Sequence, residues 1–189
     1  MSEDANRRLK RFVRDELDVD QRVLFDEIAF GERSKGTQRF SLLGPDGALE
    51  GPFNAMLLAP KLGFALQQLG AAIRYSTSLS PRIREAVILM VAAKWNCEFE
   101  RHAHEPLALD AGLKAEEIAA IARGELPSSE TATEGVAFKA AELLLRTGDL
   151  DDLDFVRCRS DLGESAIFEL MTLIGYYQTL ALQLRVFRV

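Results

Sequence analysis

Cysteine and histidine are scarce in this chain, with two of each among 189 residues. Two cysteines, Cys97 and Cys158, are too few for a disulfide scaffold, so a reducing cytoplasm is the expected setting. Positive charge is short as well. Lys and Arg number 23 against 29 Asp and Glu, a net charge of -6, and a phosphate-binding face needs clustered cations, so no nucleic-acid partner is expected. The basic cluster Arg7 to Arg14 is followed at once by the acidic stretch Asp15 to Asp20, which reads as a solvated helix face. Long apolar runs are missing too. The most apolar stretch, Ala86 to Trp95, is too short to span a bilayer and reads as a helix buried on most sides. The opening ten residues hold no apolar segment of the secretory kind, so no membrane partner is expected. Neither a Gly-x-Ser-x-Gly elbow nor a glycine-rich phosphate loop occurs, which leaves serine-nucleophile and phosphate-cradling chemistry without support.

What remains is the composition of a chain that can bury a sizeable core, 48% hydrophobic and 28% charged. Its length suits one domain, residues 1–189. Helical punctuation runs through it. Leu9, Phe12, Val13 and Leu17 predict a helix over about Glu3 to Leu17, and Val23, Leu24, Ile28 and Ala29 a second over Val19 to Phe30. Residues 31–51 hold five glycines and the turn Pro45-Asp46-Gly47, a long connection of the kind that packs as a lid or reaches across a partner subunit. A short apolar turn then leads to a helix from Pro60 with Leu62, Ala65, Leu66 and Leu69 on one face. Ser80 as N-cap and Pro81 at the first helical position start the next, ending near Trp95. Asn96 is placed to cap a helix that stops at Gly112. Further helices follow over about 115–123, 131–146, 153–160 and 164–187. No segment combines period-2 alternation with hairpin turn chemistry. The fold class is therefore all-α, with eight to ten helices.

The stretch Trp95 to His104, WNCEFERHAH, holds both histidines and one cysteine. Steps of three and four residues keep side chains on one helix face, so Cys97, Glu100, Ala103, His104, Leu107, Ala108 and Ala111 form one stripe. Glu98, Arg101, His102 and Glu105 lie opposite. The inward stripe thus opens with a thiol, a carboxylate and an imidazole. A buried carboxylate needs a partner, and an imidazole four residues on is within reach, so Glu100 and His104 can share a proton. Cys97 falls in the first turn, where free backbone N–H groups favour a thiolate. On the preceding helix Glu85 shares a face with Ile88, Leu89 and Ala92 and points inward. His102, about 140° from Cys97 around the helix, belongs to the surface. Glu100 and His104 have the spacing of two metal ligands, but no other inward histidine exists to complete a site, so no metal is expected.

These residues carry a family resemblance. The segments Gly51 to Leu62, Leu79 to Leu113 and Leu173 to Phe187 resemble the carboxymuconolactone decarboxylase and alkylhydroperoxidase (AhpD-like) superfamily, with the family core at about 51–125 and the N-terminal helices of 1–30 as an extension. In the peroxidase branch the core reads Glu, eleven residues, Cys-x-x-Cys, three residues, His. The matching positions here are Glu85, Cys97, Glu100 and His104, with Glu100 where that branch has its attacking cysteine. Without a second thiol at that position, no dithiol–disulfide cycle closes within the site. The resemblance implies an all-helical trimer or hexamer, and no cofactor is expected. It further implies acid–base chemistry on a small carboxylated, lactone-type substrate, with Glu100 and His104 as the pair, Glu85 orienting and Cys97 lining the pocket. Tyr176 and Tyr177 either wall that pocket or pack as core. Two other readings stay open: a peroxidase using Cys97 with an external thiol, and a non-catalytic helical oligomer.

Overall fold

The computed structural model describes residues 7–31 and 39–189. Among them it is all-helical, with nine α-helices and no strand. The helices are α1 (Val19–Phe30), α2 (Pro52–Met56), α3 (Pro60–Tyr75), α4 (Pro81–Trp95), α5 (Glu98–Asp110), α6 (Ala115–Ala122), α7 (Ala132–Thr147), α8 (Asp152–Asp161) and α9 (Glu164–Phe187). They fall into two compact units, Met1–Tyr75 with Leu182–Val189, and Ser76–Ala181. No helix among the described residues is long and apolar enough to cross a membrane.

In the first unit the expected opening helix is not there. Its residues 3–6 lie outside the described residues, and from Arg7 onward only Arg14–Glu16 forms one turn of 3-10 helix. The backbone finds other partners. The buried Asn54 side chain accepts from Phe12 N–H at 3.0 Å and donates to Lys10 C=O at 2.9 Å, and Arg8 N–H donates to Phe187 C=O. A segment whose amides are satisfied this way gains nothing by coiling. Helix α1 follows the sequence closely, opened by a reciprocal capping box between Asp18 and Gln21. Its core face is Leu24, Phe25, Ile28 and Ala29, whereas Val23 is exposed.

Of the long connection, residues 32–38 lie outside the described residues. The remainder makes a tight turn at Pro45-Asp46-Gly47, closed by one antiparallel bridge between Leu43 and Leu49 and pinned by Arg11, which binds Asp46 and Glu50. This small hairpin-like element is a departure from a sequence that offers no alternation. Helix α3 departs too. Its buried residues are Gly63, Gln67, Gly70 and Ile73, while Leu62 and Leu69 are exposed, because Gly63 lets the backbone approach Met56 more closely than any Cβ would allow.

The second unit is built around α4, which is buried from Arg82 to Ala92 apart from half-buried Arg84. Ser80 caps it by accepting from Ile83 N–H, with Pro81 at the first position. Its C-terminal end corrects the expectation for Asn96. That residue adopts a left-handed conformation (φ 49°) and closes α4, so the N-cap position of α5 falls to Cys97, without a side-chain cap bond. Asparagine tolerates this conformation better than most residues, so the same residue type suits either end.

Helices α4, α6 and α7 are tied by a buried cation. Arg82, 6% exposed, donates to Glu117 at 2.7 and 3.2 Å, to Gly112 C=O at 2.8 Å and to Ser128 C=O at 3.1 Å, and pairs with Glu134 at 3.2 Å. The guanidinium holds the Glu117 carboxyl down to about 2. Arg82→Ala would leave two buried carboxylates uncompensated and is expected to cost about 3–5 kcal/mol in denaturant unfolding at neutral pH. Because the Glu117 carboxyl is depressed on folding, its contribution is complete above about pH 4.5 and is lost as pH falls toward 2. An acid titration of wild-type stability is expected to fall across that window, and less steeply in Glu117→Gln.

Candidate functional site

All four candidate residues lie in the second unit. Glu85 comes from the middle of α4, Cys97 from the corner between α4 and α5, and Glu100 and His104 from the first two turns of α5. The expected stripe is there: Cys97, Glu100, Ala103, His104 and Ala108 are buried, Leu107 and Ala111 half-buried, and Glu98 and His102 exposed. His102 turns back on its own helix, with Nδ1 2.8 Å from Glu98 C=O.

The imidazole of His104 lies between two carboxylates. Its Nδ1 is 2.7 Å from Glu85 Oε2, and its Nε2 is 3.5 Å from Glu100 Oε2. All three side chains are 5% exposed or less. Helical spacing makes Glu100 the expected partner of His104, but the short contact is with Glu85, nineteen residues away. A carboxylate oxygen accepts, so Nδ1 donates, and in the neutral ring the lone pair then sits on Nε2, facing Glu100. Glu85 is held in turn: its Oε1 is 3.4 Å from Nε of Arg84, a contact the sequence reading missed because neighbouring residues on a helix ordinarily diverge. Tyr177 of α9 packs edge-on against the His104 ring, centroids 5.2 Å apart, and Tyr176 packs edge-on against Tyr177. The tyrosines therefore brace the imidazole from the core.

Cys97 stands apart from this chain of groups. It lines a cavity of about 250 Å³ with Leu89, Ala92, Ile118, Ile121, Arg101 and Glu105, whereas Glu85, Glu100 and His104 are not among the lining residues. The four candidates thus form one buried carboxylate–imidazole–carboxylate row and one thiol at a cavity wall. The expected thiolate is also corrected. Burial pushes the Cys97 thiol up to about 11, outweighing the backbone N–H groups of Glu100 and Phe99 that pull it down, and the Glu100 carboxylate pushes the same way as burial. Cys158, free and buried, is raised by burial as well, and Cys97 is likewise free. Among the described residues no group of three or more His, Cys, Asp or Glu is gathered to hold a metal ion.

The described residues are thus all-helical, with a carboxylate–imidazole–carboxylate row in the second unit. Residues 60–143, a little under half of the chain, match the model of the carboxymuconolactone decarboxylase family, consistent with the AhpD-like superfamily. The matched segment contains Glu85, Cys97, Glu100 and His104. No curated protein matches the chain.

A thiol raised to about 11 is a slow nucleophile at neutral pH. In the Cys158→Ser variant, alkylation of Cys97 by iodoacetamide at pH 8 is expected to run roughly a hundredfold slower than that of free cysteine, with the rate rising until pH approaches 11.

Proposed function

We propose that this chain is an acid–base enzyme of the carboxymuconolactone decarboxylase type, acting on a small carboxylated, lactone-type metabolite. The observation that carries this reading is the 2.7 Å contact between Glu85 and His104, which directs the free Nε2 of the imidazole toward Glu100. In the decarboxylation, the bond between the substrate's carboxylate carbon and the ring breaks and carbon dioxide leaves. The bonding electrons pass into the conjugated carbonyl as an enolate. Glu100 delivers its proton to the ring carbon and is left as a carboxylate facing Nε2 of His104, and a solvent proton then restores it, so one proton is consumed per turnover. Glu85 is a positioning residue that fixes the imidazole's tautomer and steadies its charge while the proton passes.

The family match supports the reading, and the raised Cys97 thiol weighs against peroxidase chemistry at that sulfur. Self-association belongs to the proposal too. Leu62 and Leu69 on α3 are 69% and 38% exposed, an apolar stripe suited to packing against further copies of the chain.

Carbon dioxide release from carboxymuconolactone tests the proposal. Glu100→Gln and His104→Gln are each expected to lower kcat by roughly a hundredfold or more while thermal unfolding shows a folded protein, and Cys97→Ser is expected to keep most of the activity. Thiol-dependent peroxide consumption that disappears in Cys97→Ser would overturn it.

A further inference from the structure

The cavity beside Cys97 has a neighbour. Ala93 of α4 and Ile121 and Ala122 of α6 line it, and the same three residues line a second cavity of about 380 Å³. Taken singly, the two spaces fall at or below the low end of the roughly 300–1,000 Å³ usual for small-molecule sites. Joined past two alanine methyls and one isoleucine, they fall well inside that range.

Their charges are opposite. Around Cys97, Glu98 and Glu105 outnumber Arg101, which is itself 2.9 Å from Glu105. Around the second cavity, Lys94, Arg123 and Arg146 outnumber Glu125 and Glu142. Arg123 is taken up by Glu125 at 2.8 Å, and Glu142 is divided between Lys139 at 2.6 Å and Arg146 at 3.0 Å. Lys94 is exposed and, among the described residues, has no carboxylate partner. In a chain of net charge -6 this is a local cationic excess beside an apolar wall that includes Met90 and Leu126.

We propose that the two cavities are one elongated binding site for an amphipathic acid, with the carboxylate held at Lys94, the apolar body along Ala93, Ile121 and Ala122, and the far end at Cys97. The carboxylate held there is not the one lost. The proposal rests on the acid–base reading only for the reaction of a bound acid, since binding itself needs no turnover.

Calorimetric titration with octanoate, octanamide and acetate tests it. The wild-type protein is expected to bind octanoate about fivefold more tightly than octanamide, the worth of one partly solvated ion pair. Lys94→Gln removes that preference and leaves octanamide binding unchanged. Ala93→Leu, which narrows the junction, weakens octanoate at least tenfold while sparing acetate. Equal affinity for octanoate and octanamide, or an unchanged preference in Lys94→Gln, overturns the anchor; octanoate binding untouched by Ala93→Leu overturns the joined site. Octanoate is expected to bind Glu100→Gln as it binds wild type, so loss of the acid–base reading shows in turnover and loss of this site shows in binding.

Discussion

Arg82 carries a full positive charge into the core of the second unit, and the helices that frame the candidate site are arranged around it. It reaches the carbonyl of Gly112 just beyond α5, the carboxylate of Glu117 on α6, the carbonyl of Ser128 and the carboxylate of Glu134 on α7. A guanidinium offers five donors in a fixed plane, so partners from four segments have to converge on that plane to satisfy it. That requirement sets where α6 and α7 lie against α4. It therefore also shapes the cavity beside Cys97, whose walls are α4, α5 and α6. The charge cluster and the imidazole trio are separate assemblies on one helix, drawing partners from different segments: Arg82 from Gly112, Glu117, Ser128 and Glu134, and Glu85 from His104.

Most of the fold was legible because its signals are local. Ser80-Pro81 begins α4, Thr131 and Gly148 bracket α7, and α9 runs from Glu164 to Phe187 as its pattern predicts. The misses come from partners distant in sequence. Nothing near Leu9 or Phe12 announces that Asn54 will occupy their backbone, and nothing near Leu62 announces that Gly63 will turn the other face of α3 inward. The site was legible to the same degree. Three- and four-residue spacing gave the inward stripe of α5. The order of the partners required the packing of α4 on α5, which is where Glu85 gains the short contact and Glu100 the longer one. The state of Cys97 is not legible in the same way, because a helix N-terminus is visible in sequence, whereas the burial that opposes it is a property of the packed chain.

Glu100 has a different neighbourhood from the one a second thiol would need. A cysteine at its position would be close to Cys97 and could exchange electrons with it. A carboxylate there places negative charge near the thiol, which raises the thiol further, and offers the imidazole a proton partner. On the proposed reading, the carboxylate at this position suits proton transfer and leaves Cys97 without a neighbouring thiol in the helix.

The corner at Asn96 gives the interval between Glu85 and Cys97 a geometric meaning. One left-handed residue is all that separates the end of α4 from the cap of α5, so the two helices share a joint with almost no slack. Adding one residue anywhere between Glu85 and the joint turns the carboxylate by about 100° relative to the imidazole it serves. The count of residues in the motif acts as a ruler laid around that corner, and its length is the distance that lets a side chain of one helix meet a side chain of the next.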